Sequence, residues 1–146
     1  MLKQIGLGVL AATIAVSSAI APGLSQTKPV ITPAPEAQFV PKTQVTLNGN
    51  RVNITLINKT NAAISYQAIG DTQIRSLPGQ GTVTLQGLRV PTTLTFDRQD
   101  FGLLNVTPKQ AETKPGTIEV TLDAATNLAV DRTTLRVEDN GSVFLY

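Results

Sequence analysis

From Gln44 onwards the chain is written in short alternating runs. Val45 and Leu47 alternate with polar neighbours, as do Val52, Ile54 and Leu56, then Ile64, Tyr66 and Ala68, then Ile118, Val120 and Leu122. A period of two sends successive side chains to opposite faces of an extended strand, so each run has one face to bury and one to leave in water. Turn chemistry separates the runs: Asn48-Gly49-Asn50, Asn58-Lys59-Thr60-Asn61, Gly70-Asp71, Pro78-Gly79-Gln80-Gly81, Gln99 to Gly102, a looser loop from Pro108 to Gly116, and Asn140-Gly141. Asn-Gly between alternating runs predicts a tight hairpin at 48–50 and another at 140–141. Further strands hold Val83 and Leu85, Leu94 and Phe96 after Pro91, Leu104 and Val106, Leu135 and Val137, and Val143 to Tyr146. Asp123 to Val130 is the one helix-like break, of one or two turns. Nine or ten short strands at this spacing predict an all-β domain, an antiparallel β-sandwich (immunoglobulin-like or cupredoxin-like) or a small barrel. The twenty threonines suit it, because β-branched side chains favour pleated surfaces. No fixed-period repeat is present, which disfavours a solenoid or propeller.

The residues before Gln44 are of another kind. Lys3 supplies a positive start, Ile5 to Ala21 an apolar stretch, and small residues follow, the layout of a secretory signal peptide. Gly23-Leu24-Ser25 satisfies the small-x-small rule. Cleavage after Ala21 would leave Pro22 next to the scissile bond, so the signal peptide is assigned to 1–25. The alternative is an uncleaved membrane anchor, but Gly6, Gly8, Thr13, Ser17 and Ser18 dilute the run, and a spanning helix wants about 20 strongly apolar residues. Pro29, Pro33, Pro35 and Pro41 make 26–43 a Pro-rich linker of extended character. The β domain is therefore 44–146.

Composition removes whole classes of chemistry. The chain has no histidine and no cysteine. A Ser-His-Asp or Cys-His arrangement cannot be built, zinc, copper and haem sites lose their usual ligands, and a lipid-modified cysteine anchor is impossible. Lys and Arg number 12 against 10 Asp and Glu, so no basic patch supports nucleic-acid binding. Tryptophan is absent and only Tyr66 and Tyr146 are tyrosines, so the aromatic platform usual in carbohydrate modules is missing.

The segments Ile57-Asn58-Lys59-Thr60, Ile64-Ser65-Tyr66, Arg75-Ser76-Leu77-Pro78-Gly79 and Val83-Thr84-Leu85 resemble those of immunoglobulin-like or cupredoxin-like sandwiches. They are also similar to uncharacterised short exported proteins found in cyanobacteria. The resemblance spans roughly 44–107 and rests mostly on turn residues. It implies a fold and nothing more: the cupredoxin copper ligands are Cys, His and Met, and here Cys and His are missing.

Candidate sites are few. Asp97 and Asp100 flank a turn and could form a carboxylate pair for Ca²⁺ or acid–base work, although Arg98 lies between them. Glu138-Asp139-Asn140-Gly141 raises the same possibility; both groups read better as polar turn residues. Asp100-Phe101-Gly102 matches a kinase tripeptide by letters only, since the other kinase signatures are absent. Asn53-Ile54-Thr55, Asn58-Lys59-Thr60 and Asn105-Val106-Thr107 are glycosylation sequons expected by chance in so Asn- and Thr-rich a chain. Thr82 and Thr84, with Thr93 and Thr95, could form a neutral threonine face for ice or glycans; a plain solvent-facing surface is the simpler reading. The terminal Val143-Phe144-Leu145-Tyr146 is similar to the assembly signal of outer-membrane barrels, whose strands are longer, at about 9–11 residues. It is read as a final sandwich strand.

No catalytic, cofactor-binding or metal residue is assigned, and no cofactor is expected. The expected function is that of an exported, non-catalytic module with a protein-interaction or structural role, outside the cytosol in the periplasm, the thylakoid lumen or the extracellular space. Its expected partner is another envelope or extracellular protein, with neither nucleic acid nor, after signal cleavage, membrane. Recognition is expected on loops 70–81, 99–102 or 108–116. The alternative is a carboxylate-dependent enzyme such as a glycosidase, for which Asp97 and Asp100 are the nominees. Oligomeric state is left open.

Overall fold

Alternating burial follows the alternating sequence strand by strand. The computed structural model describes residues 40–146. The expected signal peptide and linker residues 26–39 lie outside the described residues. Of the remaining linker, Val40, Pro41 and Lys42 are exposed, and Thr43 already belongs to a strand.

Among the described residues, ten strands make two sheets: β1 (Thr43–Gln44), β2 (Arg51–Asn58), β3 (Ile64–Ala68), β4 (Arg75–Leu77), β5 (Thr82–Arg89), β6 (Thr92–Arg98), β7 (Leu103–Gln110), β8 (Thr117–Ala125), β9 (Thr134–Val137) and β10 (Ser142–Leu145). The larger sheet runs β1-β10-β9-β6-β3-β4, with every pair antiparallel. The smaller runs β5-β2-β8-β7 and holds one parallel pair, β2 with β8, in register Ile54↔Ile118 and Leu56↔Val120. The sheets are open, not closed into a barrel, and their inner faces share one apolar core. Ile54 and Leu56 of β2, Ile118, Val120 and Leu122 of β8, and Leu85 of β5 supply one side. Ile64 and Tyr66 of β3, Leu94 and Phe96 of β6, Leu135 and Val137 of β9, and Val143 of β10 supply the other. Strands buried on one face and wet on the other read as clean alternation, which is why the pattern was legible.

Three local expectations are corrected. Asn48-Gly49-Asn50 does turn, with Asn48 and Arg51 exchanging backbone hydrogen bonds and Gly49 at φ 64°. It closes one bridge rather than a full hairpin. There the chain passes from one sheet to the other, so β1 pairs with β10 and β2 with β5. Pro108 is not in a loop. It lies in β7 opposite Val120 and is buried beside Leu104 and Val106. β7 is an edge strand, where a residue without an N–H is tolerated. Finally, Asp123 to Ala125 continues β8, and only Leu128–Val130 winds, as a single 3-10 turn capped by the Asn127 side chain. The hairpin at Asn140-Gly141 forms as expected, joining β9 to β10.

The junction after β2 is held from inside. Asn58 is buried, and its Nδ2 donates to the Ala62 and Pro78 carbonyls at 2.8 and 3.0 Å. Its Oδ1 accepts from Thr60 N–H and Thr60 Oγ1 at 2.9 and 2.8 Å. One amide thus ties the exits of β2 and β4 to the entry of β3.

Candidate functional site

The turn from β6 to β7 is the most constructed piece of surface. Arg98, its side chain largely buried, forks onto Asp100: Nε donates to Oδ1 at 2.9 Å and Nη2 to Oδ2 at 2.6 Å. Its Nη1 donates to the Leu103 carbonyl at 2.8 Å. Phe101 N–H closes the turn on Arg98 O, and Gly102 N–H donates to Asp100 Oδ1. A Cβ on residue 102 would lie 2.5 Å from Arg98 Cζ, so glycine is what lets the guanidinium lie across the turn. The Arg98 fork, and next the Gly102 N–H, hold the Asp100 carboxyl below the usual carboxylate range. At the tip stands Phe101, at φ 60° and 94% exposed.

Both properties are unfavourable. An L-residue in the left-handed region costs about 1–2 kcal/mol, and an aromatic in water forgoes its burial. Asp131 and Arg132 are docked beside this turn: Asp131 Oδ1 accepts from Leu104 N–H, and Arg132 N–H donates to Leu104 O. The adjoining 3-10 turn carries exposed Leu128 and Val130, so this end of the sandwich shows several apolar side chains. A shallow depression of about 210 Å³ lies at the foot of Phe101, between Asp97, Leu103, Asp131 and Thr133.

The nominated carboxylates do not form a matched pair. Asp100 is engaged by Arg98, while Asp97 projects from β6 in register with Ser65 on the outer face of the larger sheet. Beside Asp97 that face has a shallow groove of about 250 Å³ with Ser65, Gln67, Thr95 and Ile74. Glu138 pairs with Arg136 and raises the guanidinium's pKa, and Asn140 Oδ1 accepts from Ser142 N–H; both serve the β9–β10 turn. Among the described residues, no group of three or more acidic, His or Cys side chains could hold a metal ion.

The sequons and threonines fall out differently. Asn58 is buried and occupied, Asn53 accepts from Gly87 N–H, and Asn105 is exposed on β7. Thr82 and Thr84 lie on the smaller sheet, Thr93 and Thr95 on the larger, so the four share no face. Thr84 is instead opposite Thr55, with 3.0 Å between their hydroxyls, and Thr121 stands opposite both Ile57 and Thr107. Tyr66 is in the core, which leaves Tyr146 as the exposed tyrosine. Val143 is buried and Leu145 packs against the core, as a final sandwich strand requires.

Of the three nominated loops, 99–102 carries Phe101, and 70–81 holds exposed Ile74, which lines the groove beside Asp97 on the outer face of the larger sheet. The third shortens to 111–116 and is mostly exposed and polar, closed by a Lys109–Glu112 ion pair. Sequence reading located the first loop but missed the residue. An aromatic between Asp and Gly in a turn was the available signal. No protein family, no curated protein and no solved structure matches this chain.

Proposed function

We propose that the protein is an exported, non-catalytic interaction module that engages a partner protein through the Phe101 turn. The observation that carries the reading is a strained, solvent-exposed aromatic on a turn fixed by the Arg98 fork. Backbone outliers kept against their own cost point to function. A rigid aromatic also enters a partner's pocket with little ordering entropy left to lose. Burying one such side chain is worth about 1.5–3 kcal/mol, roughly 10–150-fold in affinity. Export rests on the 1–25 signal and the Pro-rich spacer. Kinship with the exported sandwich proteins of cyanobacteria rests on the turn residues of 44–107 alone. The natural partner is another envelope or extracellular protein.

The test compares the wild-type chain with Phe101→Ser. Capture from an envelope fraction should recover a partner that Phe101→Ser retains at least ten-fold less, with the melting temperature of the two proteins matched within about 4 °C, the equivalent of 1 kcal/mol in a domain of this size. Equal capture by both proteins sinks the proposal. So does a reproducible glycoside hydrolysis abolished by Asp97→Asn, which would favour the carboxylate enzyme instead.

A further inference from the structure

A sheet edge presents a row of open N–H and C=O groups, and soluble sandwiches guard them. Among the described residues, three of the four sheet edges are guarded. β1 and β4 have two and three residues. On β7 the Asp131 carboxylate and the Arg132 N–H occupy Leu104, Pro108 removes a donor, and Lys109 adds a charge.

Before Gly87, β5 has none of these devices among the described residues. Thr82 to Leu88 contains no charge and no proline. Asn58 N–H donates to Gly81 O, so residues 81, 83 and 85 point their backbone groups at β2. By the alternation of an antiparallel ladder, Thr82, Thr84 and Gln86 point theirs outwards. Their side chains are exposed as well. The open stretch stops at Gly87, whose N–H goes to Asn53 Oδ1 and whose C=O accepts from Arg51.

We propose that this edge is a homodimer seam, in which β5 pairs antiparallel with β5 of a second copy about Thr84. The stretch is its own complement. Thr84 meets Thr84 and Thr82 meets Gln86, so each outward N–H finds an outward C=O, and no charged side chain stands opposite another. Two four-stranded sheets become one of eight strands. A foreign strand would satisfy the same edge, but the two-fold match needs nothing beyond this chain. Strand pairing alone buries less than the about 1,200–2,000 Å² of a stable interface, so a dissociation constant on the order of 10–1,000 μM is expected. This inference is independent of the Phe101 turn, which lies outside β5.

The absence of cysteine makes the register directly testable. Across a hydrogen-bonded antiparallel pair the Cα atoms lie about 5.5 Å apart, within the roughly 4.4–6.8 Å span of a disulfide. In the full chain under mild oxidation, Thr84→Cys should give at least ten-fold more covalent dimer than Thr82→Cys, whose symmetry mate would be displaced four residues, about 13 Å, along the strand. Thr107→Cys on β7 is the control for chance collision, and Thr82→Cys combined with Gln86→Cys should cross-link again. In sedimentation velocity, wild type should shift towards dimer as concentration rises, and Thr84→Lys, with an unaltered melt, should stay monomeric. Equal cross-linking at 82, 84 and 107 overturns the proposal. So does a wild-type chain that stays monomeric at millimolar concentration, or a dimer that Thr84→Lys retains.

Discussion

Replacing Asn58 by alanine tests the internal clamp between β2, β3 and β4. The substitution deletes the bonds to Ala62 O, Pro78 O and both donors of Thr60. The losses are unequal. Ala62 O keeps the Thr60 hydroxyl at 3.0 Å, and Pro78 O keeps Gly81 N–H at 3.0 Å. Thr60 N–H, in a buried residue, makes no second hydrogen bond among the described residues. One orphaned buried donor costs about 1–3 kcal/mol, and each net hydrogen bond lost about 0.5–1.5 kcal/mol, so a total of about 2–4 kcal/mol is expected. In a domain of this size that lowers the melting temperature by about 8–16 °C. Urea titration of Asn58→Ala beside exposed Asn61→Ala gives the measurement. A difference under about 0.5 kcal/mol between them refutes the clamp. Asn58→Asp sharpens the test. It restores the acceptor but turns a second oxygen towards carbonyls, which favours the protonated acid. A carboxyl whose folded pKa is raised contributes stability below its unfolded pKa, and that stability is lost as pH rises through the folded pKa. Asn58→Asp should therefore gain on wild type as pH falls from 7 towards 4.

Deleting 142–146 removes β10 from between β1 and β9, with buried Val143 and part-buried Leu145. At about 1.5–3 kcal/mol per buried aliphatic, plus the broken ladder, calorimetry should find no cooperative transition near the wild-type temperature, and an unchanged melt would refute the sheet order. Thr92 Oγ1 is buried without a partner among the described residues, so Thr92→Val should stabilise by about 0.5–2 kcal/mol in urea titration, and a loss of stability would refute this. The Arg98 fork depresses the Asp100 pKa, so its contribution is present above the ordinary carboxylate range and fades as pH falls through the depressed value. Asp100→Asn should flatten the acid limb of the stability curve, and an identical limb in both proteins would count against the fork.

Architecture was legible in the sequence where it is local. Ile118, Val120 and Leu122 announced a half-buried strand, and Asn140-Gly141 a hairpin, because period and turn chemistry act over a few residues. Pairing was not, because register between distant strands is set by the core they share. The parallel match of β2 with β8 left no local mark, and the hairpin signal at Asn48-Gly49 turned the chain without saying which sheet came next. Thr82 and Thr84 were grouped with Thr93 and Thr95 by nearness in sequence, whereas their neighbours in space are on β2. Pro108 read as a loop because a proline argues against a strand, until the strand proves to be an edge. The turn at 99–102 was visible from its polar residues. The posture of Phe101 was not, because it comes from where Arg98 reaches.

The pairing of β1 with β10 has a consequence in time. Thr43 meets Val143, so the strand that leads must wait for one that emerges about a hundred residues later. β8, which sits at the centre of the smaller sheet, also comes late. A chain delivered N-terminus first, from a ribosome or through a pore, therefore has no finished sheet to close until nearly all of the domain is out. Such non-local topology folds slowly, because long loops must close before contacts reward them. The same delay keeps the chain threadable while it travels, and it leaves β2, paired with β5 on one side, without β8 on the other for about sixty residues of that passage.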